Sequence, residues 1–237
     1  MLRVISLFSG IGGIDLGLEA TGYFKTVLFN EIDPFCQKVL KRHWPDVPII
    51  ADVKDVNGKE IQADVVVGGF PCQPFSVAGK KGGSFDERYL WPEMLRVIKD
   101  AKPFIVIGEN VPGIINLSLG LETCIFDLET AGYEVQCFNI PACGVQAPHR
   151  RYRVFIIAMA NIDIKRLQGY GEKYQLRESK REKQTSGNSW WKSEPNVDRV
   201  AYGIPFRVDR IKALGNAVVP QISYVIGMCI ANAIKRS

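Results

Sequence analysis

Two positions in this 237-residue chain pair residue types that could perform covalent chemistry. Cys72 stands in Gly68-Gly69-Phe70-Pro71-Cys72-Gln73-Pro74, directly after the apolar run Val65-Val66-Val67. Flanking glycines and prolines imply loop backbone, a poor setting for a thiol that merely fills a core. Glu109 opens Glu109-Asn110-Val111-Pro112, after the apolar run Phe104 to Gly108. An ionised thiol is a nucleophile, and a nearby carboxyl can donate a proton or a hydrogen bond to the group under attack. The pair therefore suits nucleophilic catalysis by Cys72 with acid assistance from Glu109.

Such a pair must be delivered by strands that lie side by side. Apolar, β-branched runs predict strands at Val4 to Phe8, Thr26 to Phe29, Val65 to Val67, Phe104 to Gly108, Glu134 to Asn139 and Val154 to Ala158. Helical patterns lie between them, among them Pro34 to Arg42 and Trp91 to Asp100, and a last helix that Pro220 could begin carries Ile222, Val225, Ile226, Cys229, Ile230 and Ile234. Strands without polar alternation, separated by helices, imply an α/β sheet covered on both faces. Open sheets of that class bind ligands at the carboxyl ends of their strands, where Cys72 and Glu109 both fall.

The first strand runs into Phe8-Ser9-Gly10-Ile11-Gly12-Gly13, a turn whose glycines let backbone approach a nucleotide-like ligand. A full dinucleotide fingerprint would need glycine where Asp15 stands. Glu31 follows the second strand, 19 residues after Gly12, a spacing that lets a carboxylate take a ribose hydroxyl. Taken alone, the turn and the acid fit an ordinary strand-to-helix connection equally well, and Asp52 alone reads as a turn residue.

Composition narrows the class. The chain is 46% hydrophobic, 10% aromatic and 23% charged, as expected of a folded globular domain. The longest apolar run, Val154 to Ala160, falls far below the roughly 18 residues of a membrane span, and the N-terminal stretch meets glycines rather than a cleavage site, so an intracellular protein is expected. Six cysteines without a C-x-x-C pair, beside His43 and His149 alone, argue against zinc. Cys124, Cys137 and Cys229 are expected to be buried. Formal charge is +5. Residues 165–192 hold eight basic and three acidic side chains, so this one polar stretch matches the whole excess.

Phe8-Ser9-Gly10-Ile11-Gly12-Gly13, Gly69-Phe70-Pro71-Cys72-Gln73, Glu109-Asn110-Val111, Arg151-Tyr152-Arg153 and Gly215-Asn216-Ala217-Val218-Val219-Pro220-Gln221 together resemble the ordered motifs of the DNA (cytosine-5) methyltransferase family, in its compact bacterial and phage-type form. The resemblance runs from residue 8 to 221. It implies a Rossmann-like S-adenosylmethionine-dependent methyltransferase sheet with one antiparallel strand and helices on both faces. The implied cofactor has no pyrophosphate, which accounts for the imperfect glycine fingerprint.

By the same resemblance Cys72 adds to carbon 6 of a flipped cytosine, Glu109 holds the ring nitrogen 3 edge, and Arg151 and Arg153 lie at the cytosine pocket, with Arg153 on the base's oxygen. His149, where the family usually has glutamine, is expected to position the arginines. Phe8, Gly10, Gly12 and Gly13 would line the methionine and ribose side of the cofactor, Glu31 its ribose hydroxyls, Ile32 the adenine face, and Asp52 and Val53 the adenine edge, with Ile11 and Pro71 also at the cofactor. Asn216 and Ala217 would return beside the glycine turn. Gln73, Ser76, Lys80, Lys81 and Arg88 would meet DNA from a loop, although the same residues suit a plain surface loop.

Three segments are expected: a catalytic and cofactor-binding domain at 1–160, a target-recognition segment at 161–200, and C-terminal motifs at 201–237. The middle segment is very small. Lys180, Arg181, Lys183 and the pair Trp190-Trp191 suit phosphate contact and stacking, or equally a solvated linker. The expected partner is double-stranded DNA, with a cognate restriction endonuclease as candidate companion, for a monomer acting in the cytoplasm. The alternative is a catalytically silent, methyltransferase-like DNA-binding or partner subunit. Cytosine methylation of RNA fits the Pro-Cys-Gln motif less well.

Overall fold

The computed structural model describes residues 1–71, 89–117, 120–161 and 207–236. Its centre is a seven-stranded sheet in the order β3-β2-β1-β4-β5-β7-β6. The strands are β1 (Leu2–Leu7), β2 (Phe24–Asn30), β3 (Ile49–Ile50), β4 (Val65–Gly68), β5 (Ile105–Asn110), β6 (Tyr133–Pro141) and β7 (Tyr152–Ala160). Strands β1 to β5 pair in parallel, whereas β7 runs antiparallel to both β5 and β6. Each strand expected from the sequence is present within a few residues of its expected ends. The two-residue β3 at the edge is too short to leave a pattern.

Helices α1 (Gly13–Glu19), α2 (Pro34–His43), α3 (Trp91–Ala101), α4 (Leu121–Thr130), α5 (Arg207–Asn216) and α6 (Pro220–Arg236) connect or cover the strands. Val4, Ile5, Val65, Val66, Val67, Ile105 and Val106 are fully buried, so the central strands lose water from both faces. One core joins Ile5, Val66 and Val106 to Trp91, Met94 and Ile98 of α3 and Leu128 of α4. The other joins Val4, Val65 and Ile105 to Leu18 of α1 and to Ile222, Ile226, Ile230 and Ile234 of α6. Residues Lys212–Lys235 are long and apolar enough to cross a membrane by composition alone, but four of their isoleucines are those core residues.

Local chemistry fixes the helix starts and their docking. Asp33 caps α2 by accepting from the backbone N–H of Phe35 at 2.9 Å, and Pro34 follows it in the first turn. Helix α1 lies against α6 at Gly17, where an added Cβ would come within 2.0 Å of the Pro220 carbonyl. The buried Asp15 ties α1 to the sheet by accepting from Ser6 Oγ and Thr26 Oγ1, each at 2.9 Å. Burial pushes this carboxyl up to about 6 despite both hydroxyl donors. Fingerprint position 15 is therefore a structural anchor.

Cysteine placement corrects one expectation. Cys124 is buried, but Cys137 on β6 and Cys229 on α6 are exposed, as is Cys143. Strand β6 is the sheet edge, so its outward residues meet solvent; Cys229 is on the face of α6 turned from the core.

Candidate active site

Strand order reverses between β1 and β4, and the carboxyl ends of these strands open into a cleft of about 700 Å³. One end of it is built by the glycine turn and β2. Phe8 and Gly10 both have positive φ, 51° and 56°, and a Cβ on Gly10 would meet nothing within 4 Å, so backbone faces open space there. Glu31 is buried, and its carboxylate accepts from the N–H of Gly10 and from the N–H of Asp33, both at 2.7 Å. Further lone pairs remain on those oxygens for a ligand hydroxyl. Ile32 is 74% exposed and lines the cleft, together with Asp52 and Val53. Asp52 also caps a short 3-10 turn by accepting from the N–H of Lys54 at 2.9 Å.

The three turn glycines have separate tasks. Gly10 faces the cleft. At Gly12 a Cβ would strike the Trp44 ring at 2.7 Å, and neither Gly12 nor Ile11 lines the cleft. At Gly13 it would lie 2.5 Å from the Val218 carbonyl, so the loop between α5 and α6 packs onto the turn. Asn216, Ala217 and Val218 thereby reach the same cleft as Phe8 and Gly10. Lys212 of α5 spans to Asp33 with its Nζ 2.9 Å from Oδ2, which holds the Asp33 carboxyl below its ordinary value.

The opposite end belongs to β5 and β7. Glu109 pairs with Phe155 in register, so Arg153, two residues from Phe155, projects on the same face as the diagonal neighbour of Glu109. Its Nε lies 2.9 Å from Glu109 Oε1, an ion-pair distance, although the two are not aligned as a hydrogen bond. Glu109 is 7% exposed, and burial pushes its carboxyl up to about 7 against the lowering influence of Arg153 and then Arg151. Gly69 makes room for that carboxyl, since a Cβ there would sit 2.9 Å from Oε2. Arg151, just ahead of β7, turns elsewhere: its guanidinium donates to the carbonyls of Leu214, Gly215 and Ala217 at 3.3, 2.5 and 2.7 Å. His149 is exposed.

Cys72, Gln73, Ser76, Lys80, Lys81, Arg88, Lys180, Arg181, Lys183 and the Trp190-Trp191 pair lie outside the described residues. The backbone leading to Cys72 is nevertheless fixed up to Pro71, which lines the cleft. Asn110 donates from Nδ2 to the Phe70 carbonyl at 2.9 Å, and the Phe70 ring packs on Trp91 with centroids 5.0 Å apart. Asn110 and Asn30 are among the site residues to which sequence reasoning gave no role. Asn30 donates to the carbonyls of Ile50 and Ala51, which holds the segment before Asp52 against β2. A polar residue ending an otherwise apolar strand was the available signal in both cases.

Residues 2–203 match the family model of the C-5 cytosine-specific DNA methylases. The chain is 37% identical over 170 residues to the type II methyltransferase M.Bsp6I of Bacillus sp. (strain RFL6), covering 69% of this chain and 54% of that protein. It is 39% identical over 176 residues to the type II methyltransferase M.AquIA of Picosynechococcus sp., covering 65% of this chain and 71% of that one. Among solved structures, a putative DNA modification methyltransferase encoded within a prophage of E. coli superimposes with a TM-score of 0.58 at 27% identity, over 70% of this chain and 50% of its own. The chain thus spans about half the length of the Bacillus protein and of the prophage enzyme.

Proposed function

Because the chain belongs to the C-5 cytosine-specific DNA methylase family, we propose that it transfers a methyl group from S-adenosylmethionine to carbon 5 of cytosine in double-stranded DNA. The observation that carries this reading is one cleft holding the Gly10 and Glu31 end together with the Glu109 and Arg153 end. A ligand bound across it would have its reactive group beside the paired carboxyl and guanidinium.

The cleft residues fit S-adenosylmethionine. Open space over Gly10, an exposed Ile32 and a Glu31 carboxylate with spare lone pairs suit a methionine stem, an adenine face and ribose hydroxyls respectively. Asp52 and Val53 would border the adenine, and Asn216 and Ala217 would close the site from the C-terminal side. When bound, this cofactor supplies an electrophilic methyl group.

Cytosine carbon 5 is a weak nucleophile, so the protein must activate it. The target base leaves the duplex stack to reach the cleft. Cys72, as thiolate, forms a bond from sulfur to carbon 6, and the electron pair of the ring's double bond moves toward nitrogen 3. Glu109, with a carboxyl near 7, still carries a proton in much of the population at neutral pH and delivers it to nitrogen 3. Carbon 5 of the resulting enamine is nucleophilic. Once carbon 5 bears the methyl group, its proton passes to water, the Cys72 thiolate is expelled as the carbon 5 to carbon 6 double bond re-forms, and nitrogen 3 returns its proton to Glu109. Arg153 supplies a cation beside Glu109 that would hold the base's oxygen.

The test incubates the protein with mixed-sequence DNA and labelled S-adenosylmethionine, beside Cys72→Ser. Label in DNA from the wild type alone, with bisulfite sequencing locating it on cytosine, is the expected result. Folded protein that binds cofactor yet leaves DNA unlabelled at every salt concentration would favour the silent-subunit reading. That alternative is supported by the short basic stretch at 161–200 and by the length of the relatives. Neutralising Lys180, Arg181 and Lys183 is expected to weaken DNA binding and lower its salt slope by about 3; an unchanged slope makes the stretch a linker.

A further inference from the structure

We propose that Arg151 is a positioning residue for the cofactor rather than a group that meets the base: it caps the C-terminus of α5 and so holds Asn216 and Ala217 at the cleft. The inference rests on the cofactor reading given above.

Three observations carry it. The last carbonyls of any α-helix lack intrahelical partners, and a cation placed there is favoured by both hydrogen bonding and the helix dipole. Helix α5 ends at Asn216, and Arg151 takes the carbonyls of Leu214, Gly215 and Ala217. Among the described residues its buried Nε has no hydrogen-bond partner, and the hydrogen bonds of this side chain go to the C-terminal segment.

The arginine itself is rigidly based. Its carbonyl accepts from the N–H of Ala142 at 3.0 Å, fixing the backbone one residue ahead of β7. The clamped segment continues into Val218, whose carbonyl would be 2.5 Å from a Cβ on Gly13. Movement of residues 214–218 would therefore disturb the glycine turn as well as Asn216. The remaining described side-chain tie on α5, Lys212 to Asp33, is a largely exposed ion pair, a weak substitute for the clamp. Arg151 and Arg153, two residues apart at one strand end, thus divide their work: Arg153 stays with Glu109, and Arg151 assembles the cofactor wall.

The experiment measures S-adenosylhomocysteine binding by calorimetry for wild type, Arg151→Met, Arg151→Lys and Arg153→Met, with hydrogen exchange on each protein. Loss of these charge-assisted bonds in Arg151→Met is expected to weaken binding by about tenfold or more, with Arg151→Lys between it and wild type. Arg153→Met, whose partner is Glu109 rather than the end of α5, should leave exchange at 214–219 as in wild type. Amides of 214–219 should exchange faster in Arg151→Met while those of 154–158 keep their protection, which separates positioning from general unfolding. Arg151→Met binding like wild type, or Arg153→Met speeding exchange at 214–219 as much as Arg151→Met does, overturns the proposal. Should Arg151→Met fail to fold, Arg151→Lys decides: unchanged exchange at 214–219 overturns it. A wild type that does not bind S-adenosylhomocysteine at all overturns the cofactor reading and this inference with it.

Discussion

The guanidinium of Arg153 stands 2.9 Å from the carboxylate of Glu109 because the antiparallel register of β5 and β7 makes them diagonal neighbours on one sheet face. The pair is almost closed to water, at 16% and 9% side-chain exposure. Desolvation nevertheless outweighs the attraction, and the carboxyl is raised to about 7 rather than depressed.

That balance gives a pH signature. Glu109 can donate a proton only below about 7, so single-turnover methylation should fall as pH rises through that value. A thiol near 8.5 that must ionise would oppose it with a rising limb. Glu109→Gln should slow methylation by about 100-fold and abolish the falling limb. Rate profiles between pH 5 and about 9, spanning both values, would check this; a falling limb that persists in the variant assigns it to another group.

Asn110→Ala removes the donor to the Phe70 carbonyl and frees the backbone that leads to Cys72. The expected stability loss is about 1–3 kcal/mol, from a buried acceptor left unpaired. Methylation should fall by about 100-fold, as for a misplaced reacting group. Cofactor binding measured alongside should change far less.

Asp15→Asn tests the buried anchor. The Asp15 carboxyl is raised from 3.8 to about 6 on folding, so its favourable contribution is complete below 3.8 and is lost as pH rises through about 6. The amide does not titrate. Thermal unfolding should show the variant gaining on wild type between pH 4 and 7, and a constant difference would refute the shift.

Gly17→Ala should destabilise the fold by at least about 1–3 kcal/mol, because the new Cβ would fall 2.0 Å from the Pro220 carbonyl and two backbones would have to part. The same change at Gly10, where nothing lies within 4 Å, should act through backbone strain and cofactor affinity instead. Denaturant midpoints with and without S-adenosylhomocysteine distinguish the two.

Strand runs such as Val65-Val66-Val67 and the glycine turn were legible in the sequence because burial on both sheet faces and a sharp strand-to-helix turn each demand particular residue types at adjacent positions. So was the delivery of Glu109, and of the backbone as far as Pro71, to strand ends, since parallel strands leave their ends on one edge. The short β3 left no signal, and Cys137 and Cys229 were misread as buried because a small apolar residue carries no mark of which side of a strand or helix it occupies. Tertiary structure alone decided what equal-looking residues do. Gly12 packs against Trp44 away from the cleft, Gly13 packs against Val218 while lining the cleft, and Gly10 opens on it. Arg151 and Arg153 share a strand end, but the partners that reach them, helix-end carbonyls for one and a buried carboxylate for the other, come from distant parts of the chain. Local spacing encodes the backbone; the direction in which a long side chain finds its partner is set by what the fold places beside it.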